Sequence, residues 1–170
     1  RVDLNNAATG ADASAKKGNF AKRVVRLFNE HATDGVSPRF YEMPSFSIHD
    51  SDNGYVAAVA FSSGNRSSPL VGAVAASGRN NQAGSTVSAA DGVFVVYDKD
   101  VARADLYTLV DSGTTALRTK NISLTSLNDN FSTGVAVEDN SGWKYSYSST
   151  NGRYKGMNGL YALDGILFVT

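Results

Sequence analysis

The chain has 170 residues, 16 basic and 16 acidic side chains, and no cysteine. The balanced charge argues against nucleic acid or an anionic membrane as the main partner, and the lack of cysteine excludes disulfides and thiolate-bound zinc. No apolar stretch approaches the ~18 residues of a membrane-spanning helix, so we expect no membrane span.

The first segment, residues 1–19, is polar, alanine-rich and weakly patterned, which predicts an arm or linker ahead of a domain over 20–170. Side chains in the segment that follows recur at helical spacing, namely Phe20, Val24, Leu27, Phe28 and His31. We therefore expect a short helix there, and a strand over 23–28 is the alternative.

Alternating or apolar segments, separated by Gly, Asn, Asp and Ser, follow to the end of the chain and predict strands. They cover 54–61, 69–76, 92–97, 106–110, 115–124, 134–137, 143–147 and 160–169. Residues 39–49 also alternate, and Pro44 places them at a sheet edge. Asn53-Gly54 predicts a tight turn. The expected fold is all-β and mostly antiparallel, a single β-sandwich-like or jelly-roll-like domain.

Two segments of this pattern resemble each other. Residues 90–96 and 163–169 each place an Asp-Gly turn before a fully apolar run. Apolar runs of this kind are typical of strands buried on both faces, so one interpretation is that the pair forms the central strands of two packed sheets. The favoured interpretation is a coincidence between two Asp-Gly turns.

The acidic segment around Asp50, Asp52 and Asn53 is a candidate calcium site. Alternate oxygen ligands beside a glycine turn suit a hard cation, whereas a solvated hairpin turn explains the same residues through backbone preferences. An EF-hand is excluded because Phe61 stands where its closing Glu belongs. Residues 98–100 form a further acidic group, for which a solvated turn is the expectation.

The segment with the clearest binding pattern is an aromatic strand. Period two places Trp143, Tyr145 and Tyr147 on one face of it. Polar and aromatic candidates follow in the next turn, namely Asn151, Arg153 and Tyr154. Such a face can stack on a sugar ring or anchor a protein interface, and the alternative is that it packs on the core.

Catalytic patterns are weak. The two histidines, His31 and His49, have no nucleophile elbow to accompany them, and Glu42 and Glu138 are the few candidates for a glycosidase pair. We therefore expect a non-catalytic protein, and a glycan-active hydrolase is the last of three alternatives.

Only 19% of the residues are charged, against roughly 25% in average soluble domains. A surface rich in Ser, Thr, Asn and Gly is common in extracellular, adhesive and virion proteins. These features predict an attachment domain of a viral, phage or bacterial surface appendage, which binds a glycan or protein receptor as a homotrimer. The second alternative is a capsid or decoration protein whose basic arm reaches its neighbours.

Overall fold

The computed structural model describes residues 1–4, 21–29, 39–52, 54–64, 66, 91–106, 116–129, 137–147, 156 and 158–169. The strands are β1 Val2–Leu4, β2 Ala21–Val24, β3 Ser45–Ser51, β4 Gly54–Ser62, β5 Gly92–Asp98, β6 Asn128–Asp129, β7 Gly142–Ser146, β8 Tyr161–Leu163 and β9 Ile166–Phe168. Within these described ranges, 3-10 turns cover Leu124–Ser126 and Val137–Asp139. The prediction of an all-β, mostly antiparallel fold is confirmed, while the sandwich-like or jelly-roll-like arrangement stays a prediction.

Among the described residues, the main sheet comprises five strands in the order β3-β4-β5-β7-β6. Its pairs are antiparallel except β6 with β7, which is parallel. β3 and β4 form the hairpin that Asn53-Gly54 predicted, closing at the pair Ser51 and Gly54. β5 lies in the centre and is buried on both faces, as its apolar sequence predicted. The predicted edge strand begins directly after Pro44, because proline has no N–H to donate to a ladder.

Each face of the main sheet carries its own apolar cluster. On one face Phe94, Val96 and Leu127 are buried, and four residues pack against them, namely Phe28, Phe61, Ile122 and Leu124. On the other face Ala58, Ala60 and Val95 are buried beneath four more, namely Tyr97, Trp143, Leu160 and Leu167. Leu167 belongs to β9, so the β8–β9 hairpin covers this second face.

The predicted helix over residues 20–31 is wrong, because β2 lies there and pairs with β1. Burial alternates with period two: Arg23 and Val25 are buried, while Val24 is 74% exposed. Helical spacing of apolar residues was misleading, since one of the inward positions is an arginine. Residues 5–20 lie outside the described residues, so the division into an arm and a domain stays a prediction.

Buried ion pairs hold the β1–β2 sheet against the end of β5. Asp3 accepts hydrogen bonds from Arg1 Nε at 2.6 Å and from Arg23 Nε at 2.7 Å, and Arg1 Nη1 also reaches Asp98 at 2.5 Å. Asp100, beyond the strand, is completely buried. The solvated turn expected at 98–100 is therefore wrong: both carboxylates are buried because guanidinium and backbone N–H groups replace water.

We expect the stability of the fold to decline in acid through Asp3. Burial alone would raise the pKa of Asp3, but the hydrogen bonds and charges of Arg1 and Arg23 outweigh it and lower the pKa below its ordinary value. A lowered folded-state pKa stabilises the protein above the unfolded pKa of about 3.9, and that contribution is lost as the pH falls through the folded value. Urea unfolding between about pH 5 and pH 2 should show this loss, and Asp3→Asn should flatten it. An equally steep profile in Asp3→Asn would contradict the assignment, and Asp52→Asn, at an exposed position, is the control.

Two further strand predictions are wrong. Residues 116–124 contain no strand apart from a bridge between Ile122 and Phe28, and Asn121 has φ 51°, which a strand does not accommodate. Residues 160–169 form a hairpin rather than one strand, since Asp164 and Gly165 have φ of 49° and 77° and turn the chain.

The similarity between residues 90–96 and 163–169 does not extend to their structures. β5 is buried on both faces, but Ile166 and Phe168 of β9 are exposed. The interpretation as two equivalent central strands is therefore wrong, and the shared feature is the Asp-Gly turn.

The remaining predicted strands lie largely outside the described residues, which exclude 69–76, 107–110 and 134–136. Of their described ends, Leu106 lies in a turn and Val137 begins a 3-10 turn.

Candidate binding groove

The predicted aromatic strand is present as β7, and its side chains face the β8–β9 hairpin. The register pairs Trp143 with Val95 and Tyr145 with Val93, so both aromatic residues lie on the sheet face that the hairpin covers. Tyr147 follows the strand, and its backbone N–H donates to the Asp91 carbonyl at 2.9 Å. Antiparallel pairing to the central strand therefore fixes the aromatic row.

A groove of about 590 Å³ lies between this row and β9. We call it the aromatic groove, and its described lining consists of Val93, Trp143, Tyr145, Tyr147, Gly165, Ile166, Leu167 and Val169. A neighbouring space of about 370 Å³, the inner cavity, continues from Trp143 and β9 towards β3. Its described lining consists of Ser45, Ser47, His49, Val56, Ala58, Ala60, Val95, Tyr97, Val137, Trp143, Ala162, Gly165, Ile166 and Leu167.

Both spaces are uncharged in their described parts, since no Asp, Glu, Lys or Arg is among these residues. Burial raises the pKa of Tyr147, and the negative charge of Asp91 adds to the increase. Burial also raises the pKa of Tyr97, although a hydrogen bond from Trp143 opposes part of it. Both phenols therefore stay neutral at physiological pH, and together with the Trp143 indole they offer uncharged hydrogen-bonding groups to these spaces.

Trp143 is the wall between the two spaces. Its side chain packs against the buried cluster of Ala58, Ala60 and Val95, and its indole N–H is the donor to Tyr97. Tyr145 is 45% exposed and stands nearer to solvent. Trp143 therefore combines a core role with a lining role, whereas Tyr145 contributes mainly to the groove surface.

Three of the six predicted ligand-binding residues, Trp143, Tyr145 and Tyr147, come together in the groove. The other three, Asn151, Arg153 and Tyr154, lie outside the described residues. Sequence reasoning did not find the opposite wall from β9 or the polar row on β3. The alternation of Ser45, Ser47 and His49 with Phe46 and Ile48 was the available signal for that row.

The predicted calcium site lies at the β3–β4 hairpin. Asp50 and Asp52 are exposed there, and Asn53 lies outside the described residues. Within the described part of the chain, no three His, Asp or Glu side chains are grouped as metal ligands would be. Calcium binding by Asp50, Asp52 and Asn53 stays a prediction.

Of the four candidates for catalysis, Glu42 and His49 have described side-chain contacts, whereas His31 and the Glu138 side chain lie outside the described part of the structure. Glu42 is ion-paired with Arg66 on the surface. His49 Nε2 lies 2.7 Å from Ser47 Oγ, which is the spacing of a nucleophile and its base. Among the described contacts no carboxylate orients His49, so the pair lacks the third member of a triad in the described structure.

Comparison with known proteins gave no relative: no protein-family model, curated protein or solved structure matches the chain. In the part of the chain that the structure describes, no helix is long and apolar enough to cross a membrane.

Proposed function

We propose that this protein is a non-catalytic attachment domain of a viral, phage or bacterial surface appendage, located at the virion surface or outside the cell. Its receptor, a glycan or a protein, binds in the aromatic groove. The observation that carries the proposal is the row of Trp143, Tyr145 and Tyr147 beside an open, uncharged groove. The low charge and the serine-, threonine- and asparagine-rich composition support the location.

A neutral glycan is the first ligand to test. Sugar rings present C–H faces that pack on aromatic rings, and their hydroxyls need neutral donors and acceptors such as the Tyr145 and Tyr147 phenols. A protein receptor is the second, because tyrosine and tryptophan also dominate the energetics of protein interfaces. Binding to a panel of immobilised neutral and acidic glycans would indicate a glycan receptor, and no binding to the panel would favour a protein receptor.

Tyr145→Ala is expected to weaken receptor binding at least tenfold, because an aromatic anchor contributes about 2 kcal/mol. The free energy of unfolding should change by less than about 1 kcal/mol, since Tyr145 is half exposed. Trp143→Ala is the poorer test, because loss of its core packing costs about 3 kcal/mol.

Tyr55→Ala is the matched control. Tyr55 is 58% exposed on β4, where its neighbour Val56 faces the inner cavity, so Tyr55 lies on the opposite face of the same sheet. Equal affinity of the Tyr145→Ala and unmodified proteins for every bound glycan or protein would contradict recognition in the aromatic groove.

The proposal includes a homotrimer, and the β8–β9 hairpin offers a surface for it. The register places four exposed apolar side chains on one face of the hairpin, namely Tyr161, Leu163, Ile166 and Phe168. A contiguous apolar face of this kind is typical of an interaction site. It equally supports the alternative function, a capsid or decoration protein that packs against neighbouring subunits.

Light scattering is expected to give the mass of three chains, and Leu163→Lys is expected to give the mass of one. The reason is that an ammonium group at the centre of an apolar interface is costly to bury. A single-chain mass for the unmodified protein would contradict the trimer. Met43→Lys is the control, because Met43 is 84% exposed and does not belong to the hairpin.

A further inference from the structure

The side chains of β3 point in the directions opposite to those expected from their polarity. Phe46 and Ile48 point outward and are exposed, whereas Ser45, Ser47 and His49 point into the inner cavity. The register confirms the direction, because Ser47 pairs with Ala58 and these two line the cavity together. A partly buried polar row therefore lines the inner cavity where an apolar row would be expected from packing alone.

The polar row on β3 lies on one side of the inner cavity, and the Tyr97 phenol, which accepts a hydrogen bond from the Trp143 indole, also lines it. Val56, Ala60, Val95 and Leu167 form an aliphatic body, and the row on β3 forms one polar end. The cavity, at about 370 Å³, is in the range of small-molecule sites, which combine apolar walls with a few placed polar groups. No charged side chain is among its described lining residues, so an ionic head group would be buried without a counter-charge.

The Ser47–His49 pair indicates which polar group of a ligand would bind at this end of the inner cavity. Ser47 Oγ and His49 Nε2 share one hydrogen bond at 2.7 Å, and either atom can be its donor. In each tautomer a neutral imidazole and a hydroxyl together keep at least one further donor and one further acceptor. An alcohol, which both donates and accepts, complements the pair in either state.

We propose that the inner cavity binds a neutral amphiphile, with an aliphatic body against Val56, Val95 and Leu167 and a hydroxyl head at Ser47 and His49. The inner cavity differs from the aromatic groove in its proposed ligand and in its polar lining residues. The proposal does not depend on receptor binding in the aromatic groove. Trp143 lies between the two spaces, so both ligands contact the same indole.

Trp143 makes the proposal directly measurable, because it is the only tryptophan in the chain. We expect titration with 1-octanol to change the tryptophan emission saturably and to raise the melting temperature. Octanoate and octylammonium, which have the same chain and a charged head, should bind at least tenfold more weakly.

Three variants of β3 test whether the ligand hydroxyl binds at Ser47 and His49. Ser47→Ala should weaken octanol binding about fivefold, the effect of one lost hydrogen bond. Ser47→Thr keeps the hydroxyl and should retain binding, so it also controls for misfolding. Ile48→Thr, at the outward position between the pair, should leave octanol binding unchanged.

Each result of these binding measurements either supports or overturns the proposal. A saturable signal with the expected order of the three variants supports the proposal. No saturable change in emission overturns it, and equal binding by Ser47→Ala overturns the head-group assignment by showing adsorption to apolar surface alone. Tighter binding of octanoate than of octanol overturns the preference for a neutral head. Tyr145→Ala should bind octanol normally, which keeps this result independent of the receptor experiment.

Discussion

Asp100→Asn is expected to lower the free energy of unfolding by about 3 kcal/mol, which is a large part of the stability of a domain of this size. The Asp100 carboxylate is completely buried and accepts backbone N–H bonds from Thr119 at 2.8 Å and from Arg118 at 3.0 Å. It also accepts from Arg103 Nη1 at 3.2 Å. An amide in its place turns an NH₂ group towards these donors and removes the negative charge that they surround.

Asp105→Asn is the matched control, because Asp105 pairs with the same Arg103 at 2.7 Å but is largely exposed. Exposed ion pairs contribute little to stability, because water and salt screen them. Urea denaturation of both variants gives the comparison. Similar small losses in the two proteins would contradict a structural role for the buried carboxylate and would assign these residues to the solvated turn that the sequence suggested.

Gly142→Ala is expected to have the second large effect, a loss of about 3 kcal/mol or failure to fold. Gly142 begins β7 with φ 138°, where L side chains are strained, and a Cβ atom there would collide with the backbone carbonyl of Val95. The collision is with the central strand, so it cannot be relieved by rotation of a side chain. β7 would have to move away from β5 and take Trp143 with it.

Gly159→Ala provides the control for this variant, since Gly159 has open space at its Cβ position. Thermal unfolding followed by circular dichroism measures both. A melting temperature for Gly142→Ala close to that of Gly159→Ala would show that β7 does not approach β5 as closely as the geometry requires. Receptor binding should be lost together with stability in Gly142→Ala, in contrast to Tyr145→Ala.

The strands that were predictable are those in which polarity follows burial. β5 is apolar throughout and lies in the centre, and the period-two aromatic pattern of β7 gave the shared face of Trp143 and Tyr145. At β2 the pattern favoured a helix, with a strand over 23–28 as the alternative, because Arg23 occupies a buried position, which is favourable only when Asp3 and its partners are nearby. That pairing depends on tertiary structure and has no local signal.

The candidate site was half predictable for the same reason. Alternation within one strand gave the aromatic row, but the opposite wall comes from β9, whose apolar sequence was interpreted as a buried central strand. Its exposure follows from the tight turn at Asp164-Gly165, which folds 160–169 into a hairpin instead of one continuous strand. The polar row of β3 gave no functional prediction, because serines at alternate positions are equally common on solvated faces.

The order of strands in the main sheet has a consequence for how the chain folds. Among the described strands, β3–β4 in the main sheet and β8–β9 in its own sheet are hairpins of strands close in sequence, whereas β5 pairs with β4 and β7 across long intervening segments. Long-range pairing requires loop closure before it is stabilised by contacts, and it slows folding. The two hairpins are therefore expected to form early, and joining of β5 to its neighbours should set the rate. The groove, which needs β7 and β9 together, is then completed only in the last step of folding.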